Sequence, residues 1–280
     1  MKYILQLIAA IIFILIGKNF ASDELRPEFV GNGLILVITL FVVELGYDIY
    51  INWKRLKLVT HCFYLSLFGK SIRFSMSYQY RIKIRDKYLL VKNSNWNHYQ
   101  FVGGKYKRHQ QTQAFLQSEF EARDDLKLQT IGLMKDDFAL FIPAKNAIKF
   151  IDWFNKGKDR EISHWREFYE ELIEGKAQIL SRQNFPYVNY NFVGTVITPI
   201  KKTPGWDCKE ILQYDILDLI PTPSQEVELE NLLREGDTDY IKWADEELIK
   251  CLGHDNRQKK TLYKIGQHTK WSLNMKWSMD

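Results

Sequence analysis

Three carboxylates and an arginine fall within the stretch Trp165-Arg166-Glu167-Phe168-Tyr169-Glu170-Glu171-Leu172, the part of the chain whose residue types are best suited to chemistry. On a helical period of 3.6 residues, Glu167, Glu170, Glu171 and Glu174 occupy i, i+3, i+4 and i+7. They form one acidic stripe, while Phe168, Leu172 and Ile173 point elsewhere and can be buried. Carboxylates this close repel one another by roughly a few tenths of a kcal/mol per pair. A hard cation such as Mg²⁺, bound through carboxylate oxygens and substrate phosphates, removes that repulsion. A solvated helix face is the alternative reading of any Glu-Glu pair, and Arg166 placed directly ahead of the carboxylates argues against it here.

The elements that must position this helix lie on both sides of it. Upstream, Tyr88-Leu89-Leu90-Val91-Lys92 and Tyr99-Gln100-Phe101-Val102 read as two strands, the second running into Gly103-Gly104-Lys105. Backbone amides at Gly103 and Gly104 can approach a phosphate closely, and Lys105 and Lys107 beside them carry complementary charge. An exposed loop with incidental charge is the alternative. Downstream, Tyr190-Asn191-Phe192-Val193 and the run 214–220 are short apolar strands, and 226–234 is helical in pattern, stopping near Gly236. The stretch 239–248 reads as a strand followed by a helix start, with Asp245 as its N-cap.

The order of residues 166–171 resembles the Nudix box, GX5EX7REUXEEXGU with U apolar, and matches its REUXEE core at every position. The two upstream strands look like those that lead a Nudix fold into its box glycines. Far more residues separate Gly104 from Arg166 than the family spacing allows, so an insertion at about 105–159 splits the box. At strict spacing the box glycine falls on Asp152 and the first box glutamate on Lys158, and neither keeps its type; Glu161 is the candidate substitute. Counting from Gly104 instead lands on Ser118, Glu119, Phe120, Glu121, Ala122 and Arg123, where only one of three ligand positions is right. That segment ranks below 166–171. The resemblance implies an α+β domain, an α/β/α sandwich, over 57–280. It also implies Mg²⁺ ligation by Glu167, Glu170 and Glu171, with Arg166 orienting the carboxylates.

The first part of the chain looks unlike that of a hydrolase in solution. Residues 3–17 carry no charge and would span about 22 Å as a helix. Residues 34–51 would span about 27 Å, with Glu44 and Asp48 as their only charges and Tyr50 and Trp53 placed like an interfacial belt. The expectation is a membrane helical hairpin over residues 1–56. Lys2 before it and Lys54, Arg55 and Lys57 after it put both termini in the cytoplasm, which makes this a two-span protein of the inner membrane. A cleaved signal peptide ending near Ala21-Ser22 is the competing reading.

Composition agrees with an intracellular domain. Cys62, Cys208 and Cys251 are an odd set without CxxC spacing, indicating neither zinc nor a disulfide frame, and the six histidines contain no i, i+4 pair. A formal charge of +5 points to anionic partners, either a lipid surface or a phosphate-bearing ligand, and no feature points to DNA. Among the aromatics, Trp96, Tyr99, Tyr106, Trp165 and Tyr169 are candidates for stacking on nucleobases, worth about 1–3 kcal/mol per base.

Hairpin, Gly-Gly strand, insertion and acidic helix together are similar to the SMODS-associated Nudix family, the two-span membrane effectors of bacterial CBASS anti-phage defence. That resemblance implies a cyclic oligonucleotide made by a partner nucleotidyltransferase, sensed by the Nudix-like domain. It further implies homo-oligomerisation and disruption of the inner membrane, leading to abortive infection. The rival reading is a membrane-anchored Mg²⁺-dependent Nudix hydrolase cleaving a nucleoside diphosphate-linked substrate or the cyclic signal itself. A structural adaptor that ignores nucleotides is the third.

Overall fold

The computed structural model describes residues 2–94, 96–109, 111–125, 136–158, 160–161, 163–174, 178–202 and 207–278. The chain divides into two units, Met1–His61 and Cys62–Asp280.

The first unit begins with helices α1 (Lys2–Asn19) and α2 (Arg26–Ile38), which pack against each other. Glycines permit the approach: a Cβ on Gly17 would lie 2.6 Å from the Phe29 Cβ, and one on Gly33 would lie 2.5 Å from the Ile14 Cγ1. A π-helical stretch, Thr39–Leu45, then separates α2 from α3 (Gly46–Ile51), which is followed by α4 (Trp53–Leu67). The apolar run 34–51 is therefore not one helix. It is shared between the end of a 13-residue α2, the π-helical turns and a six-residue α3. At 1.5 Å per residue α2 rises about 20 Å, against the ~30 Å of a hydrocarbon core. Among the described residues no helix is long and apolar enough to cross a membrane. This corrects both the expected membrane hairpin over 1–56 and the two-span inner-membrane localisation drawn from it. A hydropathy window counts apolar side chains and is blind to a change of helix type within the run.

The second unit is α+β. Its strands are β1 (Ser71–Arg81), β2 (Lys83–Ile84), β3 (Lys87–Lys92), β4 (Tyr99–Gln100), β5 (Arg123–Asp124), β6 (Ala139–Pro143), β7 (Asn189–Ile197), β8 (Lys201–Lys202), β9 (Lys209–Ile220), β10 (Ile241–Ala244), β11 (His254–Asp255) and β12 (Lys260–Thr261). Its helices are α5 (Thr112–Phe120), α6 (Ala147–Asn155), α7 (Trp165–Leu172), α8 (Pro223–Glu235), α9 (Glu246–Lys250) and α10 (Gln267–Asn274). The main sheet runs β5-β6-β1-β9-β7 with β8 beside β9, and a smaller sheet runs β10-β3-β2 with β4 on β3. β1 and β9 are parallel over ten residue pairs, from Ile72 opposite Lys209 to Arg81 opposite Asp218.

The opposite side of β1 positions the site. Its first half pairs antiparallel with β6, from Ser71 opposite Pro143 to Ser75 opposite Ala139. Its second half takes the glycine strand instead: the Tyr78 amide donates to the Gly104 carbonyl at 2.9 Å and the Tyr80 amide to the Val102 carbonyl at 2.8 Å. The chain thus leaves the smaller sheet at β4 and enters the main sheet at Val102. Residues of the stretch 105–159 are woven into that sheet through β6, and α6 packs Phe150 against Phe74 at 5.0 Å and Phe154 against Tyr106 at 5.4 Å between ring centroids. Asp159, where that stretch was expected to end, lies outside the described residues. β1 itself is buried nearly throughout, because Phe74, Met76, Tyr78 and Tyr80 have no exposed surface and the polar residues between them are covered as well.

Two helices of the C-terminal third start on side-chain caps, and the one at Asp245 is the cap expected from the sequence. Thr222 and Gln225 form a reciprocal capping box at the start of α8, and the Asp245 carboxylate accepts from the Leu248 amide at 2.8 Å at the start of α9. Each such cap stabilises by about 1 kcal/mol.

Candidate functional site

Helix α7 carries the acidic stripe on one side and its apolar anchors on the other. Phe168 and Leu172, one turn apart, are fully buried, and Phe168 packs on Tyr80 at 5.5 Å and on Phe185 at 5.7 Å. This anchoring turns Glu167 and Glu171 inward to the glycine strand and leaves Glu170 exposed. Glu174 follows the end of the helix and is exposed, so the stripe holds three carboxylates within α7.

Arg166 is the hub of the cluster. Its Nε donates to Glu161 Oε1 at 3.0 Å, its Nη1 to Glu167 Oε1 at 2.6 Å and to Glu170 Oε2 at 3.1 Å, and its Nη2 to the Lys105 carbonyl at 2.8 Å. Glu161 also accepts from the Lys107 amide at 2.8 Å. One guanidinium therefore ties α7 to the glycine strand and gathers three carboxylates from two segments. Glu161, the candidate for the missing first box glutamate, is brought into the cluster by the strand pairing of Arg160 with Arg108.

The two glycines serve this cluster. The Gly103 amide donates to Glu171 Oε2 at 2.8 Å, and a Cβ on Gly104 would fall inside the Glu167 carboxylate. Gly103 has φ +142°, and a Cβ there would overlap the Tyr78 carbonyl oxygen on β1. Lys105 and Lys107 share the Asp137 carboxylate, at 3.5 Å and 2.7 Å. In the lower-ranked segment, Glu119 and Glu121 instead pair with the surface lysines Lys149 and Lys145.

Burial raises the pKa of Glu167 and raises that of Glu171 well above the ordinary carboxylate value, and neighbouring carboxylates add to both; Arg166 lowers both, and the Gly103 amide also lowers Glu171. The folded protein thus holds these protons more tightly than the unfolded chain does. Their contribution to stability is present at low pH and is lost as pH rises from about 4.3, the unfolded value, through the folded values. A divalent cation among these carboxylates would supply compensating positive charge in the protons' place. The donors fit Mg²⁺ chemically, being hard carboxylate oxygens short of positive charge. In the arrangement described, Arg166 occupies the space between Glu167 and Glu170, and no group of three or more His, Cys, Asp or Glu side chains among the described residues is placed to hold a metal ion.

One residue beyond the cluster, a second hydrogen-bond chain crosses the start of α7. The Tyr106 hydroxyl donates to Asp215 Oδ2 at 2.6 Å and meets His164 Nε2 at 2.8 Å, while His164 Nδ1 meets the Tyr190 hydroxyl at 2.9 Å. The Tyr78 ring lies 4.8 Å from the His164 ring, and the Glu167 amide donates to the Tyr78 hydroxyl at 3.3 Å. Burial lowers the His164 pKa to about 4, outweighing the nearby carboxylates. His164 is a satisfied boundary residue, neutral at physiological pH. Its imidazole resonances are expected to stay unmoved between pH 6 and 8 in an NMR titration, and a midpoint inside that window would contradict this assignment.

Sequence reasoning did not connect Asp215 with Tyr106. They are 109 positions apart, and only the parallel β1–β9 pairing beside the glycine strand brings them together. The stacking candidates divide as well: Trp165 lies parallel to Phe168 at 5.7 Å as part of the helix packing, and Trp96 is exposed.

A sequence model of the SMODS-associated NUDIX domain matches residues 71–273, from the first residue of β1 to the last turn of α10. No curated protein matches the chain.

Proposed function

The chain belongs to the SMODS-associated NUDIX domain family, and from that premise we propose that its second unit is the ligand-sensing domain of a CBASS-type effector, recognising a cyclic oligonucleotide made by a partner nucleotidyltransferase. The observation that supports sensing over hydrolysis is the engagement of the carboxylates. Arg166 draws Glu161, Glu167 and Glu170 together and Gly103 holds Glu171, so the groups a hydrolase reserves for metal and water are tied to the protein's own donors.

In this reading Lys105 and Lys107 exchange Asp137 for ligand phosphates. Mg²⁺ on Glu167, Glu170 and Glu171 would require Arg166 and the Gly103 amide to release them, and it belongs to the hydrolase reading. Gly103 and Gly104 act by shape, letting the strand lie against the acidic helix. The ligand acts by favouring one state of the protein over another, by no more than its difference in affinity for the two. Exposed apolar side chains of the first unit, among them Ile35, Ile38 and Val42, offer surface for contact between copies in the ligand-bound state.

Hydrolysis is the second reading, favoured by one observation: Glu161 joins Glu167 and Glu170 on Arg166, with Glu171 held beside them by the Gly103 amide. Incubating the full chain and a Glu170→Gln/Glu171→Gln variant with Mg²⁺ and labelled substrates separates the two readings. The sensor reading expects cyclic di- and trinucleotides to be recovered uncut, with the variant still binding them. Consumption of linear dinucleotide pyrophosphates by the wild type, abolished in the variant, would make the hydrolase the better account.

A further inference from the structure

We infer that the cavity lined by β7, α6 and Tyr106 is a nucleobase site. Its volume is about 340 Å³, within the roughly 300–1,000 Å³ of small-molecule sites. Side chains alternate along the strand 105–107, so Tyr106 faces away from Lys105 and Lys107 and into this separate space.

One wall is built by a β-bulge. On β7, Phe192 opposes Leu217 while Gly194 opposes Ile216, which leaves Val193 as the extra residue. In a regular strand Phe192 and Thr195, three positions apart, would face opposite sides. With the bulge, Phe192, Thr195 and Ile197 all line the cavity. Phe192 is 55% exposed and Ile197 37%, a flat apolar surface open to solvent.

The polar part of the lining is fixed, and Asp215, opposite Thr195 in the β7–β9 register, stands on the same sheet as the apolar residues. Asp215 accepts from the Tyr106 hydroxyl at 2.6 Å and from the Thr195 hydroxyl at 2.7 Å, and Arg160 is held 4.2 Å from the Tyr106 ring and 4.1 Å from the Phe154 ring. Asn155 on the rim accepts from the Gln213 amide at 2.9 Å, while the Gln213 carbonyl oxygen is buried without a partner. An apolar patch bordered by an amide, hydroxyls and a guanidinium suits a planar heterocycle, whose faces stack and whose edge carries donors and acceptors. The Asp215 carboxylate disfavours an anion in the same place. Arg160 adjoins Glu161 in sequence and His164 directly precedes α7, so an occupant would bear on the carboxylate cluster through both.

That the base belongs to a cyclic oligonucleotide rests on the sensor reading; that the cavity takes a base does not. The test titrates AMP, GMP, CMP and UMP, and separately cyclic di-AMP, cyclic di-GMP and cyclic tri-AMP, into the full chain and into Phe192→Ala and Asn155→Ala, both at exposed positions. At least one monophosphate is expected to bind. Phe192→Ala should weaken it roughly ten- to a hundredfold, the loss of one stacked base, while melting as the wild type does, and Asn155→Ala should change the preference among bases and melt a few degrees lower, because the buried Gln213 amide loses its acceptor. If the monophosphates behave so and no cyclic compound binds, the base site stands and the sensor reading falls. If cyclic compounds bind all three proteins equally, the sensor reading stands and the base site falls. If nothing binds, or the monophosphates bind all three proteins equally, the base site is likewise wrong.

Discussion

Gly103→Ala is expected to lower the melting temperature of the second unit by roughly 10 °C, because two costs fall on one methyl group. At φ +142° a side chain is strained whatever the space around it, and here its Cβ would also overlap the Tyr78 carbonyl oxygen. Strain of this kind costs about 1–3 kcal/mol and overpacking a further 1–3 kcal/mol. Relief by moving the strand is closed off, since the Tyr78 amide is bonded to the Gly104 carbonyl and the Gly103 amide to Glu171. Gly104→Ala is the informative partner. Its Cβ meets the end of a flexible side chain, Glu167, so it should melt nearer the wild type while displacing the carboxylate. A Gly103→Ala melt within about 2 °C of wild type would show that the close approach to β1 does not matter to stability.

Replacing Arg166 by Met carries the second large effect. The variant keeps the aliphatic volume but removes the donors to Glu161, Glu167 and Glu170 and to the Lys105 carbonyl. Removing one partner of a buried ion pair typically costs about 3–5 kcal/mol, and the partial exposure of this cluster brings the expectation to roughly 2–4 kcal/mol at pH 8. The loss should shrink as pH falls. Glu167 and Glu171 already hold protons more tightly than ordinary carboxylates, and without the guanidinium their affinity rises further, so acid supplies the missing positive charge. Mg²⁺ should restore part of the stability at pH 8 and little at pH 5. Thermal melts of wild type and variant at both pH values, with and without Mg²⁺, check this; a deficit that is the same at each pH would contradict the proposed electrostatic role.

Local features of the site were legible in the sequence, and long-range ones were not. The 3.6-residue period placed Glu167, Glu170 and Glu171 on one side of α7 and Phe168 and Leu172 on another, as they stand. The strand over 214–220, the helix over 226–234 and the Asp245 cap were likewise visible, because alternation, amphipathic period and capping act within a few residues. The Gly103 amide given to Glu171 was not visible, since 68 positions separate the two. Nor was the pairing of β6 with β1, which threads residues of the stretch 105–159 into the main sheet. In the first unit, hydropathy registered the apolar run 34–51 but could not register the π-helical turns that divide it.

The proposal that this domain senses a cyclic oligonucleotide is tested most directly by following the thermal unfolding of the full chain with Mg²⁺ against a panel of cyclic di- and trinucleotides, with linear dinucleotide pyrophosphates as controls. A ligand at 100 times its dissociation constant adds about 2.7 kcal/mol, a shift of several degrees for a domain of this size. The account predicts that a cyclic compound raises the melting temperature and is recovered intact. A shift from the linear pyrophosphates alone, or their consumption, would contradict it.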